Sequence, residues 1–254
     1  EKVHGTDDFD GYWGIWDEKF LNYMGEVLSE QKQPFFSTMF TLTSHHPFVV
    51  PQEYEGKYPK GKTPNHQCVG YVDDAFRKFF AKHENDEWFR NSIFVFVADH
   101  VSSEKMTEVF RRSPGDYHIF GFMYAPDSAL FGEHRQVVSQ MDIMPTLLGL
   151  MGNTEPYFAF GRDIFNEHSD VPYAVNYDNN AFQAITGEHL IRFDEKSVTG
   201  VYEIKDVMHE NNLVGKVPTE GVEQHLKALI QSYYSRVENK NYVVNDSIPR
   251  DTTF

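Results

Sequence analysis

Between Ser92 and His100 the chain carries Ile93-Phe94-Val95-Phe96-Val97-Ala98, six consecutive apolar residues rich in β-branched and aromatic types. A run this short and this apolar reads as a strand buried on both faces, as in a parallel sheet with helices on either side. It is followed at once by an acid and an imidazole, Asp99 and His100. In open α/β sheets ligands gather beyond the carboxyl ends of the strands, so these two residues stand where chemistry is expected. A carboxylate oxygen beside a neutral imidazole nitrogen suits a borderline divalent ion such as zinc or manganese. The plainer alternative is that Asp99 caps a following turn and His100 is an ordinary loop histidine.

The flanking sequence fits a layered α/β protein. Asp17 is placed as the cap of a helix in which Phe20, Leu21, Met24, Val27 and Leu28 recur at helical spacing. Pro34 ends it, and Phe35 to Thr43 forms a second buried-strand candidate leading into Ser44-His45-His46-Pro47-Phe48. Residues 49–67 read as a surface loop. A helix is expected over Tyr71 to Lys82, which places Tyr71, Asp73 and Asp74 at its start as an N-terminal dipole arrangement. The polar stretch 101–116 reads as a solvated loop, Arg111-Arg112 included. His118 to Ala125 is a third strand, and Val137 to Met151 a helix stopped by Gly152. Beyond Gly152, short segments at 173–177, 182–186, 189–193 and 198–204 read as an antiparallel meander, with Thr186-Gly187-Glu188 as one of its turns. A helix over Val222 to Val237 docks on that small sheet, and Glu238 to Phe254 is a polar tail.

Composition narrows the function classes. With 22 Phe and 14 Tyr in 254 residues the chain can bury a sizeable core. Its 23 Lys+Arg against 38 Asp+Glu give a formal charge of −15, which argues against a nucleic-acid or anionic-membrane partner. A small anionic substrate stays open, because a metal ion can supply local positive charge. The lone cysteine, Cys68, rules out an internal disulfide framework and reads as a buried thiol. No run of 18 apolar residues occurs, and the polar opening, without an initiating Met, leads us to expect a piece of something longer.

Four segments in order carry a resemblance: Phe40-Thr41-Leu42-Thr43-Ser44-His45-His46-Pro47-Phe48, Val97-Ala98-Asp99-His100, Ser139-Gln140-Met141-Asp142-Ile143-Met144-Pro145-Thr146-Leu147-Leu148, and Phe160-Gly161-Arg162-Asp163-Ile164-Phe165. Together they resemble the sulfatase branch of the alkaline phosphatase superfamily, closest to the lipoteichoic acid synthase and phosphoglycerol transferase group. The opening Phe9-Asp10-Gly11-Tyr12-Trp13-Gly14-Ile15-Trp16-Asp17 fits the same group. The resemblance implies an α/β fold: the C-terminal portion of a three-layer α/β/α sandwich over residues 1–165, then a small antiparallel sheet, helix and tail over 166–254. It implies that Asp99 and His100 are metal ligands and that His45 faces the substrate, where it assists the leaving group or binds a phosphoryl oxygen. Its alternative is a histidine capping a strand end. His46 and His118 are assigned structural roles, and the Ser139 to Leu148 segment is a core helix with a polar start.

The implied activity is metal-dependent hydrolysis or transfer of a sulfate or phosphate (phosphoglycerol) ester through a covalent intermediate. The ion is manganese, zinc, calcium or magnesium, with manganese favoured by the resemblance. The substrate is an anionic ester, lipid- or glycan-linked in one version, and the setting is extracytoplasmic with the full-length protein anchored in a membrane. The family's nucleophile and a further acidic ligand are not recognisable here; Cys68 lacks the Cys-x-Pro-x-Arg context. Both are therefore expected upstream, and the fragment alone is expected to be inactive. The rival reading is a catalytically inactive sulfatase-like scaffold or binding module.

Overall fold

The computed structural model describes residues 8–126, 130–166, 173–242 and 244. The opening residues and most of the expected C-terminal tail lie outside the described residues. Two compact units are present. One comprises the described residues of Glu1–Phe96 and Gly121–Gly132, the other those of Val97–Phe120 and Glu133–Phe254.

In the first unit, helix α1 (Asp17–Ser29) packs on helix α2 (Asn65–His83). Leu21 and Leu28 of α1 and Ala75 and Phe79 of α2 are buried together with Trp88 and Phe89 from the single-turn helix α3 (Glu87–Arg90). Each large side chain taken from water here is worth about 2–3 kcal/mol before the entropy of ordering is counted. Gly25 permits the close approach: a Cβ there would lie 2.1 Å from Nε2 of the buried His83. Cys68 is buried as expected.

Several expectations change here for physical reasons. Asp17 is the first helical residue rather than the cap; it is 1% exposed, and its Oδ1 accepts from the backbone N–H groups of Leu42 (2.9 Å) and Thr43 (3.1 Å). That carboxylate does for the 42–43 backbone what a neighbouring strand would do. No strand forms over 35–43 among the described residues: Phe35 and Met39 pack on the helical cluster, while Phe36 and Phe40 are 85% and 63% exposed. Helix α2 starts at Asn65, so Tyr71, Asp73 and Asp74 lie in its middle and not at a dipole end. Asp74 is instead a charge hub, accepting from the Tyr58 hydroxyl (2.7 Å) and the Arg77 guanidinium (2.6 Å), with Lys57 and Lys78 at 3.3 and 3.4 Å. The Tyr58 hydroxyl and then Arg77 hold its carboxyl well below the usual carboxylate range.

Strand β1 (Phe94–Val97) pairs with strand β2 (Gly121–Tyr124) in a two-stranded sheet. Both are shorter than the apolar runs that announce them. Phe96 meets Phe76 of α2 (centroids 5.1 Å apart) and stacks on Phe122 across the pair (4.5 Å). The expectation of burial on both faces fails: Phe94, Val95 and Phe96 are half-buried, and Ile93 and Val97 remain 37% and 42% exposed.

The second unit holds helix α4 (Ile143–Leu150) and the four-stranded antiparallel sheet β3 (Ala174–Asp178), β4 (Ala181–Ile185), β5 (His189–Phe193) and β6 (Val198–Glu203), in that spatial order. Asn179 and Asn180, with φ of 48° and 58°, make the two-residue turn between β3 and β4 that the right-handed strand twist favours. Thr186 closes the next turn, its Oγ1 accepting from His189 N at 2.9 Å. Helix α5 (Glu220–Glu238) lays Leu226, Val222 and Ile230 on Ala184, Ile191, Phe193 and Val201. The meander and its docked helix are thus as expected. The helix expected from Val137 is shorter: a 3₁₀ turn over Gln140–Asp142 precedes α4, and Gly152, with φ of 68°, follows its end.

Asp17 supports a pH prediction. Its Oδ2 is buried without a hydrogen-bond partner, and burial pushes the carboxyl above the ordinary carboxylate range against the opposing pull of the Leu42 and Thr43 amides. A raised folded-state pKa contributes stability fully present below the ordinary carboxylate pKa and lost as pH rises through the folded value. Asp17→Asn removes that titration. Relative to wild type, the variant is expected to gain unfolding free energy as pH rises above about 4, with a slope of at most about 1.4 kcal/mol per pH unit. Urea titrations across that range check it; parallel curves for the two proteins would contradict it.

Candidate active site

At the end of β1 the backbone of Ala98 still bonds to Phe120 (N to O, 3.3 Å), and the chain then turns. The turn is made by Asp99 itself, whose Oδ1 accepts from His100 N at 2.9 Å. This brings together two side chains that would point to opposite faces of a continuing strand. Asp99 Oδ2 lies 3.5 Å from His100 Nε2, and the side chains are 56% and 67% exposed. His100 Nδ1 sits 2.7 Å from the carbonyl oxygen of Val101. A carbonyl only accepts, so Nδ1 carries the proton and the neutral ring keeps its lone pair on Nε2. Two electron-pair donors, a carboxylate oxygen and an imidazole nitrogen, therefore face one another across a gap that suits a cation. An imidazole whose second nitrogen is fixed on a carbonyl is the usual arrangement of a metal-ligating histidine.

The carbonyls beneath this pair are held from a distant part of the chain. The Gln140 side-chain amide donates to Ala98 O (2.8 Å) and Asp99 O (3.1 Å). Gln140 is in turn placed by a capping box: Ser139 Oγ accepts from Met141 N, and Asp142 Oδ2 accepts from Ser139 N at 2.8 Å. The other oxygen of the buried Asp142 accepts from Arg162 N (2.9 Å), and the fully buried Thr146 hydroxyl accepts from Ile164 N (3.1 Å). Gly161 lies so close that a Cβ on it would fall 2.0 Å from Met141 O. Thus the segments around 139–148 and 160–165, separate in sequence, form one buttress behind Asp99. The Ser-x-x-Asp pattern at 139–142 was a readable signal for the box; nothing in the sequence marked Gln140 as its product.

In the first unit, His45 is exposed on the loop after Thr43. Its Nδ1 lies 2.9 Å from His46 O, which by the same argument leaves the lone pair of the neutral ring on Nε2. His46 contributes its carbonyl rather than its ring, accepting also from the Trp13 indole N–H at 2.8 Å. His118 is exposed, and its ring packs against that of Phe110, centroids 6.5 Å apart. Arg111 and Arg112 pair with Glu108 on the surface, in keeping with a solvated loop.

A divalent ion in a tight site needs three or more protein ligands. Among the described residues no group of three or more His, Cys, Asp or Glu side chains is placed to hold one. Asp99 and His100 have donor chemistry that suits a divalent ion, but two residues do not fit a whole metal site.

Residues 1–153 match the family model described as Sulfatase. Lipoteichoic acid synthase 1 of Bacillus subtilis (strain 168) is 27% identical over 205 residues, covering 70% of this chain and 32% of that protein. Lipoteichoic acid synthase of Staphylococcus aureus (strain USA300) is 27% identical over 176 residues, covering 62% and 27% respectively. The chain thus spans a third or less of the length of these curated relatives. Among solved structures, a protein of the alkaline phosphatase superfamily from Vibrio parahaemolyticus matches with a TM-score of 0.73 at 24% identity, covering 93% of this chain and 58% of that one. Ps i-CgsB in complex with k-i-k-neocarrahexaose matches with a TM-score of 0.59 at 17% identity over 93% of this chain and 56% of that one. The expected fold class, α/β of the alkaline phosphatase type with a small antiparallel C-terminal sheet and helix, is borne out.

Proposed function

The chain belongs to the sulfatase family, and from that premise we propose that the whole protein is a metal-dependent enzyme that transfers or hydrolyses a phosphate or sulfate ester, with phosphoglycerol transfer favoured. The single observation that carries this reading is the Asp99–His100 pair, with Oδ2 and Nε2 3.5 Å apart and the imidazole tautomer fixed by Val101. The likeness to two lipoteichoic acid synthases favours the phosphoglycerol version. The ion is taken as manganese, ahead of zinc, calcium or magnesium. When bound it would activate the attacking hydroxyl and neutralise charge on the transferring group.

The chain's own residues do the rest. Asp99 and His100 supply two of the ion's ligands, and Gln140 keeps their backbone from swinging. His45 presents Nε2, which accepts a proton from an alcohol in the neutral form or donates to a phosphoryl oxygen once protonated. A complete centre needs at least one further ligand and a nucleophile that these residues do not identify. The substrate is an anionic ester on a lipid or glycan, met outside the cytoplasm by a membrane-anchored protein. No helix among the described residues is long and apolar enough to cross a membrane.

The test is a substrate panel on the whole protein with added manganese: an aryl sulfate, an aryl phosphate and phosphatidylglycerol. Release of diacylglycerol from phosphatidylglycerol at least about tenfold faster than hydrolysis of either aryl ester is the expected result. A preference for the aryl sulfate would move the function to sulfate-ester hydrolysis. No turnover of any of the three, in a protein that binds the ion, would favour the inactive scaffold.

A further inference from the structure

We infer that Trp13 is a positioning residue for His45, setting which nitrogen of that imidazole is presented to the substrate; this rests on the reading of His45 as the substrate-facing histidine. One carbonyl, that of His46, accepts both the Trp13 indole N–H at 2.8 Å and the His45 Nδ1–H at 2.9 Å. Two donors occupy the two lone pairs of the oxygen, so neither lone pair is left to draw in a competing donor. With the carbonyl fixed, His45 keeps its proton on Nδ1 and its lone pair on Nε2. The two rings also meet edge to face, centroids 4.6 Å apart and planes at 66°, which limits rotation of the imidazole.

Both arms of this contact are braced. Asp10 Oδ1 accepts from the backbone N–H groups of Tyr12 (2.7 Å), Trp13 (2.8 Å) and Gly14 (3.1 Å), folding the chain into a tight loop that holds Trp13 over the histidines. On the other side, buried Asp17 accepts from Leu42 and Thr43, and His45 N donates to Leu42 O at 2.9 Å. Burial does not explain the placement of Trp13, which is 56% exposed. Its hydrogen bond does. Either task proposed for His45, taking a proton from a hydroxyl or donating one to a phosphoryl oxygen, is performed by Nε2, so a ring that exchanged its tautomer would be wrong for the first of them about as often as it exchanged.

The experiment reads the tautomer directly, by ring ¹⁵N and ¹³C NMR of the histidine-labelled chain at a pH where His45 is neutral. Wild type is expected to show His45 protonated on Nδ1. Trp13→Phe keeps a ring edge but loses the indole donor, and is expected to shift a substantial share of His45 to the Nε2-protonated form; Trp13→Ala is expected to shift more. His83, fixed on Asp86 at 2.6 Å in the same unit, is the internal control for an intact fold. In the whole protein Trp13→Phe is expected to lower kcat about tenfold with KM little changed, a fraction of what a general base contributes. A wild-type His45 protonated on Nε2, or a tautomer that does not move in Trp13→Phe while His83 stays unperturbed, would overturn the inference. A tautomer shift with unchanged turnover would leave Trp13 setting the ring but take His45 out of the reaction, overturning the reading on which the inference rests.

Discussion

Asp99→Ala in the whole protein is expected to lower ester turnover about a thousandfold while moving Tm by no more than about 2 °C. The first figure follows from what a metal ion supplies. Stabilising the charge that develops on a transferring group is worth several kcal/mol, and about 4 kcal/mol corresponds to about three powers of ten in rate. The second follows from the surroundings of Asp99, whose side chain is 56% exposed and, among the described residues, bonded within its own turn to His100 N. Substitutions of that kind usually change stability by about 0.5 kcal/mol or less, about 1–2 °C in a protein of this size. Large loss of rate without loss of fold is the signature of a site residue. His100→Ala is expected to cost a similar factor, and the double variant little more than either single one, because ligands of one ion act as a unit. Steady-state assays with excess manganese, paired with thermal melts without added metal so that lost ion binding does not enter Tm, check all three. A capping role for Asp99 would show the reverse pattern, a modest change in Tm with turnover intact.

Asp142→Ala is expected to have the largest effect on stability, about 3–5 kcal/mol. The residue is 4% exposed, and its two oxygens accept from Ser139 N and Arg162 N. Removing the carboxylate strands two half-buried backbone donors, each at a cost of about 1–3 kcal/mol and more when the lost acceptor is charged. The loss spreads to the site, because the box it closes sets the position of Gln140 under Ala98 and Asp99. Asp142→Asn keeps one acceptor oxygen and is expected to recover about half of the loss, whereas Gln140→Ala costs about 1 kcal/mol, the net worth of ordinary hydrogen bonds. Urea unfolding of the three variants gives the order. Equal stabilities for Asp142→Ala and Gln140→Ala would show that the box does not carry the buttress.

Local chemistry explains what was legible in the sequence. The meander from β3 to β6 and helix α5 were readable because alternation, turns and a 3.6-residue stripe are encoded within each segment. The convergence of Asp99 and His100 was foreseeable from a strand that must end at its acid. Residues 35–43 were not, because strand formation depends on partners remote in sequence, and here Asp17 takes the backbone donors of Leu42 and Thr43. The start of α2 was hidden by a polar first turn, Asn65-His66-Gln67, after a loop rich in lysine and proline, and so Asp74 read as a helix-end acid when it is a mid-helix hub. The joining of Asp142 to Arg162 spans 20 residues and exists only once Gly161 has come against Met141. No window of sequence contains that contact.

The central claim is that Asp99 and His100 hold a divalent ion, and the most direct measurement is manganese binding by isothermal titration calorimetry. The whole protein would be compared with its Asp99→Ala and His100→Ala variants and with residues 1–254 alone. The account predicts one ion per wild-type molecule and affinity at least about a hundredfold weaker in each variant, since outer-shell changes alone cost 10–100-fold. It also predicts weak or no binding by residues 1–254, which bring two recognisable ligands. Wild-type affinity retained in both variants would place the ion elsewhere and contradict the account.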